Sequence, residues 1–510
     1  MSVPNITNQI SISLNYKQKQ AIKALNKFIM GKYPNILHSF LLLGPGGSGK
    51  TTVILNMFQQ SDKNLAFCAF TNKATQVLKN MANKYNIQFS AHFATIHKLF
   101  GLPLDDLIIS YSDKMIEQIR QYDIIIFDEC SIIPSYIYNH IEQIWQIIKN
   151  RYEKELKFIF LGDYWQLPPI NEDHGIVFAK AIQQNWPVIK LFKIMRSKHE
   201  KIEKIHNNLF NLINQFQNNR NQIIQNFLVQ YPYNIISPQI AEIYPSYDKF
   251  ISKYMNYLTQ NNTKTQTNKV HLYTQNSIIL TYTNTNRQKI NTSIQNIINA
   301  RYDRPMINEI QPIIFYPGDR CCIEQPIELF AIREKSNYIM LGESLDQYLY
   351  NGEIFIVQNV IKTRVKTDIN KYKYIPSYFN CQLLTIQKIH NTHLNRDQQV
   401  LDLPTYKIIH IDSNEYYKAC NIIKYKNTPE LYQTIIGSHN HKYPILSYGY
   451  CITIHKSQGS EWDHVFINLC SIKHSINSSE LTFKKIRNLF RATYTALTRA
   501  KMSVYILWYK

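Results

Sequence analysis

The chain has 510 residues, with 57 Lys or Arg, 36 Asp or Glu and a formal net charge of +21. At ~150 residues per domain this is room for three or four domains, and a hydrophobic fraction of 45 % excludes a wholly disordered protein. The surplus reflects scarce acids more than abundant bases, and such a field draws phosphate-rich partners, nucleic acid first and an anionic membrane surface second.

No stretch approaches the ~18 uninterrupted apolar residues of a membrane span. The run from Met1 to Leu14 is polar and has no apolar signal core, so a non-secreted protein is expected. Of the eight cysteines only Cys321 and Cys322 are close together, and no C-x-x-C pair exists. Neither a disulfide framework nor a zinc site is expected, which fits a reducing compartment.

In chain order, strand-like apolar runs fall at Phe40–Leu43, Leu65–Phe70, Ile124–Phe127 and Phe158–Leu161. Helical stretches lie between them, among them Thr52–Gln60 and Thr75–Lys84. Continuous apolar strands alternating with helices predict a parallel sheet covered on both faces. Residues 200–269 change character, rich in Asn, Gln, Ile and Tyr. A helix is expected over Lys201–Val229 and a polar linker over Thr259–Asn268. Parallel-sheet character returns at Ser277–Tyr282, His464–Leu469 and Ser503–Trp508. Residues 303–443 read instead as short β-runs with Gly turns, a β-rich insert within a second α/β domain. Within it Asn351-Gly352 reads as a hairpin turn.

Gly44-Pro45-Gly46-Gly47-Ser48-Gly49-Lys50-Thr51 matches G-x-x-x-x-G-K-[ST] between a strand and a helix. Backbone N–H groups of such a loop close around phosphates, with the helix N-terminus adding positive potential. Lys50 is placed for the β- and γ-phosphates, Thr51 for Mg²⁺, and Thr52 completes the nucleotide-binding run. Asp128-Glu129 ends the strand Ile124–Phe127; Asp128 suits Mg²⁺, and Glu129 suits deprotonation of an attacking water. Gly162-Asp163-Tyr164-Trp165-Gln166-Leu167-Pro168-Pro169 follows the next strand. There Gln166 can bond a γ-phosphate and its water.

These segments, with others in a fixed order, resemble the superfamily 1 helicases of the RecD/Dda-like and Pif-type group. The others are Leu14–Ile22, Phe70–Leu78, Ala94–His97, Met195–Ser197, Leu280–Asn286, Tyr350–Val357, Thr453–Val465 (TIHKSQGSEWDHV) and Tyr494–Lys501 (YTALTRAK). The resemblance implies an α/β fold of two RecA-like P-loop NTPase domains with parallel sheets. It adds a small β-wedge in the first and an SH3-like β-rich insert in the second. The expected boundaries are 1–190 for the first domain, with the wedge at about 98–118. The second domain would start at 191–302, carry the insert at 303–443 and finish at 444–510.

The resemblance implies further roles. Gln18 would read adenine, and Gln166 would sense the γ-phosphate. Arg196 and Arg499 would be cationic fingers for the transferred phosphoryl group. Gly459 and Glu461 would lie near the nucleotide. Thr71, Asn72, Thr95 and His97 would line a DNA groove in the first domain; Thr283, Asn284, Thr453 and His455 would line it in the second. Phe100 and Tyr111 fall where the family places a strand-separating pin.

The implied activity is ATP- and Mg²⁺-dependent 5′-to-3′ translocation on single-stranded DNA, unwinding forked duplex in replication, recombination or repair. The protein is expected to act as a monomer, without membrane attachment, alongside replication or recombination proteins. The expected setting is the cytoplasm, nucleus or a viral replication site. An RNA helicase of the same superfamily and a non-catalytic nucleic-acid-binding subunit are the alternatives.

Overall fold

The computed structural model describes residues 14–33, 38–59, 61–84, 91–102, 112–193, 200–218, 231–233, 236, 240–259, 276–307, 313–324, 327–349, 351–366, 378–388, 405–411, 445–476 and 483–509. The chain divides into two compact units. The first comprises 1–235 with 481–498, and the second comprises 236–480 with 499–510.

In the first unit, strands β1 (Ser39–Leu43), β2 (Leu65–Ala69), β3 (Ala91–Thr95), β4 (Ile124–Asp128), β5 (Lys157–Gly162) and β6 (Val188–Lys190) form one sheet. Its order is β3-β2-β4-β5-β1-β6, and the pairings are parallel. Because successive strand residues point to opposite faces, a continuous apolar run feeds two cores. Leu41, Ile125 and Phe127 face one core, while Phe40, Leu42, Ile124 and Ile126 face the other.

Helices α1 (Tyr16–Ile29), α2 (Lys50–Met57) and α3 (Asn72–Lys84) cover the second of these faces. On the opposite face, α4 (Ile96–Leu99), α5 (Asp113–Ile119), α6 (Ser135–Tyr152) and α7 (Ile176–Gln183) pack. In α6 the buried Ile137, Ile141, Ile144 and Ile148 recur at helical spacing, which makes one apolar stripe. Helix α8 (Glu200–Asn218) occupies the first part of the expected 201–229 helix; residues 219–230 lie outside the described residues.

Where it is described, the wedge expected at 98–118 consists of the end of α4, a turn at Phe100-Gly101 and most of α5, with no strand among the described residues. Phe100 is fully buried, stacked on Phe127 with ring centroids 5.9 Å apart. A side chain spent on the core cannot serve as a strand-separating pin. Tyr111, with 103–110, lies outside the described residues.

In the second unit, β7 (Glu242–Tyr244), β8 (Ser277–Thr281), β16 (Cys451–Thr453), β17 (Trp462–Asn468) and β18 (Ala500–Leu507) form a second parallel sheet, ordered β16-β8-β17-β18-β7. It carries α9 (Tyr247–Thr259), α10 (Asn284–Arg301) and α11 (Leu469–Ile476). The linker expected from 259 begins as the last residue of α9, and 260–268 lie outside the described residues.

The insert is a mixed sheet of β9 (Arg320–Ile323), β10 (Ile327–Glu334), β11 (Ile339–Leu349), β12 (Ile354–Lys366), β13 (Tyr378–Lys388), β14 (Thr405–Ile411) and β15 (Leu446–Tyr448). Strand β15 carries it past the expected end at 443. The hairpin expected at Asn351-Gly352 does not form. Strand β11 is taken up antiparallel by β10, and β12 instead pairs antiparallel with β9. Gly352 sits at φ +80° and donates its N–H to Ile323 O at 2.8 Å, locking the turn onto β9.

Two expected boundaries also move. Residues 191–235 group with the first unit instead of opening the second. Helix α12 (Phe483–Leu497), expected in the second domain, likewise belongs to the first unit, although the strands before and after it, β17 and β18, pair in the second.

Candidate nucleotide and nucleic-acid sites

The first site stands on the carboxyl ends of β1, β4 and β5. Leu43 pairs with Gly162, so the loops after β1 and β5 start level, and Gly44 N donates to Gly162 O at 3.0 Å. Strand β4 flanks β5 on the other side. Gly44, Asp128 and Asp163 are thus brought side by side by strand order alone, where open α/β sheets take their ligands.

The loop before α2 turns through Gly47 at φ +78° and Gly49 at φ +83°, conformations that side chains resist. A Cβ on Gly44 would lie 2.5 Å from Ser48 Oγ. That hydroxyl is buried without a hydrogen-bond partner, and an unpaired donor within a ring of amides is suited to a phosphate oxygen. Lys50 Nζ lies over the same loop, donating to Gly44 O at 2.8 Å and Pro45 O at 3.1 Å. Thr51 Oγ1 donates to Asp128 Oδ2 at 3.2 Å. This hydroxyl–carboxylate pair at the loop's mouth is the oxygen donor set Mg²⁺ takes. Burial and the adjacent Glu129 raise the Asp128 pKa, while Lys50 counteracts them.

Glu129 adopts φ 52°, a left-handed conformation uncommon outside glycine and enriched where function holds the backbone. Gln166 is buried. Its Nε2 lies 3.5 Å from Asp163 Oδ2, the long limit for such a bond, and its Oε1 has no partner. An unpaired acceptor next to a phosphate cradle can take a hydrogen bond from a water.

Gln18 is fully engaged by the protein. Its Oε1 accepts from Asn15 N at 2.9 Å in a capping box, and its Nε2 donates to Ser48 O at 3.2 Å. It anchors α1 to the loop, so reading adenine requires the amide to exchange these bonds. Thr52 is half-buried on α2. Arg196 lies outside the described residues. In the second unit Gly459 adopts φ 73°, Glu461 pairs with Lys501 at 3.5 Å, and Arg499 is buried with Nη1 donating to Ser460 O at 3.3 Å.

The groove residues occur as two matching stations, one per unit. In the first, Ala69 of β2 pairs with Thr95 of β3, and Thr71 follows two residues on. In the second, Thr281 of β8 pairs with Thr453 of β16, and Thr283 again follows two residues on. Thr71, Thr95 and Thr283 each accept a backbone N–H three residues ahead at 3.2 Å, and Thr453 does so at 3.4 Å. His97 meets Phe70 with centroids 5.4 Å apart at 64°; His455 meets Tyr282 at 5.5 Å and 51°. Burial lowers both histidine pKa values, so both rings are neutral at pH 7.

Thr95 and Thr453 are buried as caps, while Asn284 and Lys98 are exposed. The Asn72 side chain lies outside the described residues. Lys98 escaped sequence reasoning, since one lysine in a basic chain carries no local signal. So did the Arg287–Glu324–Lys456 ion cluster and the bond between Tyr494 and Asp163, because both depend on long-range contact.

Among the described residues no helix is long and apolar enough to cross a membrane. The described cysteines are free and buried.

The P-loop, the Asp128–Thr51 pair and the parallel sheet define a P-loop NTPase domain in the first unit; the second unit is α/β with an added mixed sheet. The AAA domain model matches residues 36–172, and the UvrD-like helicase C-terminal domain model matches 448–507. An uncharacterized protein, R530, of Acanthamoeba polyphaga mimivirus is 24 % identical over 95 % of this chain and 98 % of its own length. The RecBCD enzyme subunit RecD of Buchnera aphidicola is 28 % identical over 31 % of this chain and 27 % of that protein. Among solved structures, Pif1 helicases at forked double-stranded DNA match 97 % of this chain and 92 % of theirs, with 15 % identity and a TM-score of 0.46. Candida albicans Pif1 matches 98 % and 96 %, with 14 % identity and a TM-score of 0.42. The two domain models and the partial match to RecD make the chain similar, at both ends, to superfamily 1 helicases.

Proposed function

We propose that the protein is an ATP-dependent DNA helicase that translocates 5′ to 3′ on single-stranded DNA and opens forked duplex. The observation that carries the chemistry is the row at the ends of β1, β4 and β5. It sets the phosphate loop, the Thr51–Asp128 pair and the unpaired Gln166 carbonyl side by side. The polarity rests on the resemblance to the superfamily 1 helicases.

In this reading Lys50 leaves its loop carbonyls for the β- and γ-phosphates. Thr51 and Asp128 would hold Mg²⁺, which would supply neutralisation of phosphate charge. Glu129 takes the proton of the attacking water, and Gln166 Oε1 orients that water by accepting its other hydrogen. Arg196 and Arg499 stabilise the charge that develops on the phosphoryl group; one such finger is worth ~10³–10⁵ in rate in related chemistry. Gly459 and Glu461 border the nucleotide, and Gln18 exchanges its capping bonds for the adenine edge.

The paired stations are the strand grip. A threonine hydroxyl that accepts a backbone N–H keeps its own hydrogen to donate to phosphate, and Phe70, His97, Tyr282 and His455 offer ring faces for bases. The protein acts as a monomer in replication, recombination or repair. The full-length mimivirus relative favours a viral replication site.

The test is unwinding of duplexes with a 5′ tail, a 3′ tail or an RNA strand. The 5′-tailed DNA fork is expected to open, and Lys50→Ala to abolish both unwinding and ATP hydrolysis. A preference for the 3′ tail sinks the polarity, a preference for RNA sinks the substrate, and equal hydrolysis by Lys50→Ala sinks the motor.

A further inference from the structure

Helix α12 ends within the YTALTRAK segment and lies in the first unit against the loop 162–169. Trp165 meets Phe490 edge-on at 5.6 Å, and Leu167 N donates to Thr495 Oγ1 at 3.1 Å. At the centre is Asp163, buried to 3 % exposure. Its Oδ1 accepts from Trp165 N at 3.1 Å, and its Oδ2 accepts from Tyr494 Oη at 2.8 Å and from Gln166 Nε2 at 3.5 Å.

We propose that Tyr494 is a positioning residue for hydrolysis. Its hydroxyl fixes the Asp163 carboxylate, and Asp163 in turn holds the Gln166 amide so that Oε1 faces the attacking water. The inference rests on the proposed function and deepens it.

The geometry supports this in three ways. The Tyr494 bond is the shortest of the three, so it sets the carboxylate's rotation. The Gln166 bond is at the long limit, so Gln166 adapts to the carboxylate and not the reverse. The unpaired Gln166 Oε1 can point usefully only while Nε2 is held, because an unheld amide rotates and exchanges its two ends. The helix also ties this network to the chain that follows: α12 ends at Leu497, and Arg499 opens the second unit's last stretch.

Tyr494→Phe removes one hydroxyl and keeps the ring. The expected result is a roughly ten- to hundredfold fall in kcat for nucleic-acid-stimulated ATP hydrolysis, the scale of a misplaced reacting group. The Kd for a fluorescent ATP analogue should stay within twofold, a split that loss of packing alone does not produce. Combining Tyr494→Phe with Gln166→Ala should give a protein no slower than Gln166→Ala alone, because residues acting as one unit are not additive. Asp163→Asn, which keeps the side chain's shape, should reproduce the kcat loss and carries the test if Tyr494→Phe melts early. Wild-type kcat in Tyr494→Phe, or losses that multiply in the double variant, overturns the proposal and leaves the helicase reading standing. A wild-type protein without Lys50-dependent hydrolysis overturns both.

Discussion

Gly49 shows how one residue couples nucleotide binding to the fold. It sits at φ +83°, and a Cβ there would lie 2.4 Å from Gln18 Nε2. Forcing a side chain into the left-handed region costs roughly 1–2 kcal/mol. In Gly49→Ala the added carbon also expels the Gln18 amide from Ser48 O, which releases the N-terminal end of α1 from the loop. Together these should weaken binding of a fluorescent ATP analogue at least tenfold, since ~1.4 kcal/mol is one decade. An unchanged affinity in Gly49→Ala would show that the loop relaxes around the methyl group.

Among elements, the second unit is stapled by one carboxylate. Glu324, just after β9, accepts from Arg287 on α10, Lys456 in the 3-10 turn after β16, and Ser447 on β15. Burial alone raises its pKa, but Lys456 and Arg287 outweigh that and hold it below 4.5. The sign follows: the folded form binds its proton more weakly than the unfolded chain. The cluster therefore stabilises above pH 4.5, and its contribution is lost as pH falls through the lowered value. Glu324→Gln leaves two partly buried cations unbalanced and should cost about 3 kcal/mol in urea unfolding at pH 7. Adding Lys456→Met should return part of it, and an equal or larger loss in the double variant would refute the charge account. None of this was legible in the sequence, because the four residues span 287 to 456 and meet only through sheet pairing. The P-loop, Asp128 and Gln166 were legible, because each follows a continuous apolar strand and a parallel sheet gathers strand ends by rule. The hairpin at Asn351-Gly352 misled because turn chemistry is local, whereas the choice of β9 over β11 as the antiparallel partner of β12 is not.

For the whole molecule, the surplus of +21 has an address. Residues 303–443 hold 16 Lys or Arg and 15 Asp or Glu, a net +1, so +20 belongs to the remaining chain. The insert is large but electrostatically nearly neutral. The parts outside the insert carry nearly all of the net positive charge and are expected to supply the sequence-independent attraction to phosphate. Binding of single-stranded DNA should weaken with salt at a log–log slope of about −0.7 per phosphate neutralised. Among the described residues of the insert, Lys362 and Arg364 are exposed on β12 two residues apart, so they offer two cations for a backbone contact. Replacing both with Gln should leave affinity and slope unchanged, whereas replacing Lys98 beside His97 should flatten the slope by about 0.7, as loss of one phosphate contact on a single strand does. If the β12 double variant flattens the slope by about 0.7 or more while Lys98→Gln does not, the strand runs over the insert. The charge distribution along the chain would then say nothing about where the protein grips.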